Sequence, residues 1–192
     1  MSEINKRAQI KQEAARLFRK KGFRSTSMQD IADALDIKAA SLYNHIASKQ
    51  EILMELSLEV ARNFTSGMTE IESSSLSPID KLEELIKLHV DMTLKHKDSI
   101  SLITGEWVHL EQPQLKDFIG LRNSYEDSFK NILLQCQNEN KIAADINIDL
   151  ALYSILSSLH WLYNWHNKHP EISRIELSKQ LKDILLNGLI VK

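Results

Sequence analysis

Apolar residues recur at three- and four-residue steps along most of this chain. Ile10, Ala14, Leu17 and Phe18 form one such stripe, Leu82, Leu85, Ile86 and Val90 another, and Leu177, Leu181, Ile184 and Leu185 a third. That period belongs to a helix with one buried face, and no segment shows the sustained alternation of a strand. Only five glycines and three prolines occur in 192 residues, so turns and long loops have few places to sit. The fold class is therefore all-α, with about nine helices forming an N-terminal head and a C-terminal body.

The expected helices cover about 3–21, 26–35, 38–45, 48–72, 78–96, 98–110, 113–138, 148–167 and 174–189. Their boundaries follow from capping chemistry. Thr26 with Gln29, Ser48 with Glu51, and Ser173 with Glu176 have the spacing of capping boxes. Ser77 precedes Pro78 and Asp80, a favourable helix start. Gly22 follows the basic run Arg19-Lys20-Lys21, a favourable helix end. Gly120 is a candidate break. The helix over 148–167 carries Leu152, Ile155, Leu159 and Leu162 on one face and Leu156, His160 and Tyr163 on another. Leu189 closes the apolar stripe of the last helix.

Net charge divides unevenly. Residues 1–50 hold ten Lys and Arg against five Asp and Glu, a net +5, while residues 51–192 hold 14 against 21, a net −7. A basic head on an acidic body suits a protein of which one end meets a polyanion. A single cysteine, Cys136, excludes an intrachain disulfide. With no apolar leader and no run long enough to span a bilayer, a cytoplasmic location with no membrane partner is expected.

The segment from Thr26 to His45 contains two helices joined by about three residues, Leu35-Asp36-Ile37. That is the length of a helix-turn-helix, whose second helix enters the DNA major groove. Ile31, Leu35, Ile37 and Leu42 form its small core, which leaves Lys38, Ala39, Ala40, Ser41, Tyr43, Asn44 and His45 facing outward. Asn reads adenine, Ser and His reach phosphate or base edges, and Ala lets the backbone approach a thymine methyl. Lys49, at the start of the next helix, is a candidate phosphate clamp. Arg7 and Arg24 are further phosphate candidates.

These pieces resemble the N-terminal domain of TetR-family transcriptional regulators. The resemblance runs through IKQEAARLFRKKGF and STSMQDIADALDIKAASLYNHIASKQEIL without a gap. It implies a homodimeric repressor on a pseudo-palindromic operator. It places Ser41, Tyr43, Asn44, His45 and Lys49, with Ser27 and Gln29, at DNA-contact positions. It also implies a DNA-binding domain over 1–60, with the helix at 48–72 bridging into a ligand-binding and dimerisation domain over 61–192. Three departures bear on the head. Asp36 replaces a turn glycine and is expected to take a positive φ, Lys38 replaces a Ser or Thr helix cap, and Ile46-Ala47 replaces an aromatic and a proline.

The last two helices are apolar on two faces, which fits a two-fold four-helix dimer contact. The body is rich in aromatic and Met side chains, and Phe64, Met68, Met92, Trp107, Phe118, Tyr125, Phe129, His160 and Tyr163 are candidate ligand residues. GEWVHL, LRNSYEDSF and the stretch from Leu159 to Leu189 are similar to TetR-family regulators of fatty-acid and steroid catabolism. That likeness implies a small hydrophobic effector of the acyl-CoA class, and adds Arg122 to the candidate ligand residues, for its phosphates. Glu106 and His109 share a helical face, but a bundle metal site needs further partners, so neither metal nor cofactor is expected. Two rival classes remain open at this level: a helical metal-binding or thioester-handling enzyme that keeps a DNA-binding head, and a DNA-binding protein without an effector.

Overall fold

The computed structural model describes residues 3–166 and 168–187; Asn167 and Leu189 lie outside the described residues. The elements are α1 (Glu3–Lys21), α2 (Met28–Ala34), α3 (Ala39–Tyr43), α4 (Lys49–Ser73), α5 (Pro78–Ser101), α6 (Gln114–Asn138), α7 (Ile148–His166) and α8 (Arg174–Leu186). Between α5 and α6 lie a π-helical turn over Leu102–Glu106 and a 3-10 turn over Trp107–His109. Among the described residues there is no strand, and no helix is long and apolar enough to cross a membrane. The chain forms two compact units, Met1–Ala61 with Asp98–Gly120, and Arg62–Lys97 with Leu121–Lys192.

In the first unit, α2 and α3 are seven and five residues long. Neither length sustains a helix alone, because nucleation costs more than one or two turns return. They persist by burying Ile31, Ala32 and Leu42, all fully inaccessible; α2 packs on α1 and α3, and the same unit buries Ile10, Leu17 and Phe18 of α1 and Ile52 and Leu53 of α4. Gly22 ends α1 with φ 84° and an amide that donates to Phe18 O at 2.8 Å, a left-handed exit that suits glycine.

Three expectations need correction. The cap of α2 is Ser27, not Thr26, and its partner is Asp30 rather than Gln29. Thr26 is buried instead, its hydroxyl donating to Gly22 O at 2.9 Å. The sixth expected helix, over 98–110, is not separate: α5 kinks at His96 (φ −128°, ψ 34°), resumes to Ser101 and gives way to the π-helical and 3-10 turns. Buried Leu102 and the Arg19–Asp98 pair at 2.7 Å hold this stretch within the first unit, and the π-helical turn packs on α1. Gly120 is no break; α6 is continuous through it. Asp36 does take a positive φ, 52°.

The second unit is built on Leu82, Leu85 and Ile86 of α5, Phe129, Ile132 and Leu133 of α6, and Leu152, Ile155 and Leu159 of α7, all buried. Gly67 of α4 admits Leu88 of α5 so closely that an added Cβ would meet its methyls at 2.8 Å. Arg174 and Lys182 of α8 pair with Asp91 and Glu83 of α5, beside a cluster of Val90, Leu162 and Leu177.

Leu42→Ala is expected to lower unfolding free energy by about 2–5 kcal/mol, the range for a buried leucine with no room to collapse. A urea titration followed by circular dichroism reads the lower midpoint; an unchanged midpoint would mean that α3 is held by something other than this side chain.

Candidate nucleic-acid interface and a buried polar pair

The head presents an open groove of about 490 Å³ lined by Arg24, Ser25, Thr26, Ser27, Met28, Gln29, Tyr43, Ala47, Ser48 and Lys49. Of the expected DNA contacts it gathers Ser27, Gln29, Tyr43 and Lys49. Lys38, Ala39, Ala40, Ser41, Asn44 and His45 do not line it. Tyr43 is 53% exposed, and Asn44, Lys38 and Ala40 are exposed; Ser41, Ala39 and His45 are half-buried. Leu42 and Ile46 turn inward, so the polar face of α3 is free because its apolar face is spent in the core.

Local hydrogen bonds set these side chains. Ser27 accepts from the Asp30 amide at 3.0 Å, and the Ser27 amide donates back to Asp30 Oδ2 at 2.8 Å. Lys21 at 2.7 Å, together with Ser27, holds the Asp30 carboxyl well below the usual carboxylate range. Gln29 donates to Asp33 at 2.6 Å. Lys38 stands at the cap of α3 in extended conformation with no side-chain cap bond, as its chemistry requires.

Lys49 departs from the phosphate-clamp expectation. Its ammonium donates to Phe23 O and Thr26 O, each at 2.9 Å, and to Arg24 O at 3.3 Å. It also sits 4.6 Å from the Phe23 ring centroid. An ammonium has three protons, and here three carbonyls receive them. Lys49 therefore closes the α1–α2 loop in this state. Arg7 likewise turns onto protein partners rather than outward, pairing with Glu51 at 2.5 Å.

In the second unit, His89 Nε2 and the Tyr125 hydroxyl lie 2.9 Å apart, both buried. The Phe64 ring lies 4.7 Å from His89 and 5.6 Å from Tyr125, Phe129 lies 6.2 Å from Tyr125, and His160 lies 6.4 Å from His89. Burial pushes the imidazole down to about 3, with His160 adding to the effect, and pushes the phenol up. A neutral polar pair inside an aromatic cage can orient an apolar ligand that carries one polar group. Met68 and Met92 are also buried, Tyr163 is half-buried, and Arg122 is exposed and bonded to Glu126 at 2.8 Å. Trp107 and Phe118 belong to the first unit, where their rings stack at 5.8 Å. His89 was not among the expected ligand residues. Its signal was a lone histidine on the apolar stripe of α5, between Ile86 and Val90.

Glu106 Oε2 lies 3.5 Å from His109 Nε2, and among the described residues no group of three metal-binding side chains forms. Leu150, Tyr153 and Trp161 of α7 and Ile184 of α8 are exposed. An open groove of about 450 Å³ takes in two of them, Leu150 and Ile184, together with Ile155, Ser158 and Leu185 among others.

Two family profiles match this chain: "Bacterial regulatory proteins, tetR family" over residues 10–56, and "Tetracyclin repressor-like, C-terminal domain" over residues 75–189. The chain belongs to the TetR family. Within that family it is similar to the HTH-type transcriptional repressor KstR2 of Mycobacterium tuberculosis, 25% identical over 187 residues that cover 96% of this chain and 93% of the relative. Its fold matches the structure of the ketosteroid transcriptional regulator KstR2 of the same organism with TM-score 0.91, at 23% identity over 97% of this chain and 96% of the other. It also matches AibR, solved in complex with isovaleryl coenzyme A and operator DNA, with TM-score 0.79 at 20% identity over 94% of this chain and 97% of the other. In this TetR-family head, α3 is the second helix of the helix-turn-helix.

Two outcomes are expected. Lys49→Ala should lower the thermal midpoint, by roughly 1–3 kcal/mol in stability for the lost charge-assisted bonds and ring contact. A residue that served phosphate alone would leave the midpoint unchanged. His89→Gln should flatten the pH dependence of stability. The fold accommodates neutral His89, whereas the unfolded chain protonates near 6.5. The contribution is therefore complete above that pH and is lost as the pH falls toward about 3. Urea midpoints at about pH 7.5 and about pH 5 compare the two chains, and an identical slope in the variant would remove His89 as its source.

Proposed function

We propose that this TetR-family chain is an operator-binding repressor that releases DNA when a small hydrophobic effector, of the acyl-CoA class, enters its second unit. The carrying observation is α3 and its exit: the five-residue helix buries Leu42, the turn after it buries Ile46, and Tyr43 and Asn44 stay exposed. A helix held from behind can offer its polar face to a groove.

In this reading residues 1–60 form the DNA-binding domain and residues 61–192 the ligand-binding and dimerisation domain. Asn44 reads base edges, Ser41 and His45 reach bases or phosphates, and Ser27, Gln29 and Tyr43 meet the backbone. Ala39 and Ala40 allow close approach. Lys38 and Arg24 supply exposed charge. Two copies pair through the exposed apolar residues of α7 and α8, which sets two heads on successive major grooves about 34–36 Å apart. The protein acts in the cytoplasm by equilibrium binding, with no covalent step.

For the effector, the support is the His89–Tyr125 pair with Phe64, Met68, Met92, Phe129, His160 and Tyr163, together with the isovaleryl coenzyme A of the AibR complex. An acyl chain suits the aromatic and Met side chains, and exposed Arg122 suits coenzyme A phosphates. An effector changes DNA affinity only by favouring one of two states of the protein.

The test uses a duplex that the wild-type protein selects from a random pool. Asn44→Ala should lose about tenfold or more on that duplex relative to random duplex; an equal loss on both would contradict base reading. Acyl-CoAs of graded chain length should raise the thermal midpoint and release the selected duplex. If no chain length does either, the effector class is wrong while the DNA reading stands.

A further inference from the structure

Within the first unit, α1 and α4 are joined by a ladder of ion pairs. Arg7 pairs with Glu51 at 2.5 Å and with Glu55, and Lys11 pairs with Glu55 at 3.6 Å and with Glu59 at 2.8 Å. The Arg7 guanidinium makes one more bond, to the backbone carbonyl of His45. That carbonyl lies just past Asn44, the C-cap of α3, where a helix leaves its last carbonyls without partners.

Glu51 completes a closed circuit. It accepts from the Ala47 amide at 2.7 Å while it pairs with Arg7. The strand of chain that leaves α3 is thus gripped twice, at His45 O by Arg7 and at Ala47 N by Glu51, and the two grips are bonded to each other. The other end of α3 has no such fastening, because Lys38 makes no side-chain cap. Both terminal nitrogens of Arg7 are engaged, one on the His45 carbonyl and one on the two carboxylates. A phosphate held by both terminal nitrogens would therefore have to displace a carboxylate.

We propose that Arg7 is a positioning residue for DNA recognition: it fixes the attitude of α3 against α4 through the His45–Ala47 segment and does not itself hold DNA. The proposal rests on the reading of α3 as the recognition helix. The Arg7 side chain is 35% exposed and that of Glu55 26%, so each pair adds little to stability. Base reading is less forgiving, because its donors and acceptors must sit within about half an ångström of their targets. Loss of the circuit therefore acts on sequence preference far more than on folding.

The test measures binding of the full chain to a duplex selected by the wild-type protein and to random duplex, across a salt series. Arg7→Gln should weaken the selected duplex by about tenfold and leave random-duplex affinity and the salt slope unchanged. Arg7→Lys should recover part of the loss, since an ammonium reaches the carboxylates but not as a fork. Glu55→Gln is the sharper variant. It removes a negative charge, which by itself would tighten DNA binding, yet positioning requires that the selected duplex bind less well. Equal weakening on both duplexes by Arg7→Gln, with the salt slope reduced by about one unit, would make Arg7 a phosphate contact and overturn the proposal. So would tighter binding of the selected duplex by Glu55→Gln, or no change in either variant. Thermal midpoints are measured alongside; if Arg7→Gln fails to fold, Glu55→Gln decides. Asn44→Ala distinguishes the two layers. If it keeps full preference for the selected duplex, α3 is not the reader and the proposal falls with it. If it loses preference while Arg7→Gln does not, only the role of Arg7 falls.

Discussion

The burial of Leu42 is the contact on which the head depends. α3 spans five residues, too few to hold a helix by its own hydrogen bonds. Leu42, fully inaccessible, ties it to a core that includes Ile10, Ile31, Ile46 and Ile52. Only because that side faces inward can Tyr43 and Asn44 stand in solvent with their hydrogen-bonding groups available. The same core lets α2, seven residues long, start at a serine cap and end in the left-handed turn at Asp36.

Charge then refines what apolar packing holds. Lys49 gathers three loop carbonyls and covers the Phe23 ring, and Arg7 gathers the end of α3 and two carboxylates of α4. Each cation has turned inward onto backbone oxygen. The basic excess of the head is thus smaller in effect at its surface than its sum of +5 suggests. Part of that charge orders the loops that carry the exposed polar residues.

The second unit hides its chemistry differently. His89 and Tyr125 are 2.9 Å apart with Phe64 against both rings. A buried imidazole and phenol satisfy one another, which removes most of the cost of burying either, and burial keeps both neutral. Such a bond fixes both rings relative to each other inside an apolar cage.

The helical class, the head and most helix ends were legible in the sequence, because periodicity and capping are local. Ser77, Ser173 and Gly22 mark ends that the structure keeps, and the positive φ of Asp36 followed from its standing where the resembling family has a turn glycine. Where two caps competed side by side, at Thr26 and Ser27, local spacing chose wrongly, since burial of Thr26 decided the matter. The stretch over 98–110 reads as a helix of its own, and only packing of Leu102 and Asp98 in the first unit shows why it continues α5 and then changes pitch. The tasks of Arg7, Lys49 and His89 were out of reach for the same reason. Each depends on atoms from 23 to 48 residues away along the chain. The sequence by itself determined that this chain is a bundle of amphipathic helices with a helix-turn-helix head. Tertiary structure alone decided which cations turn onto protein and which stay exposed, because a side chain's partner is set by what folding brings within 3 Å of it.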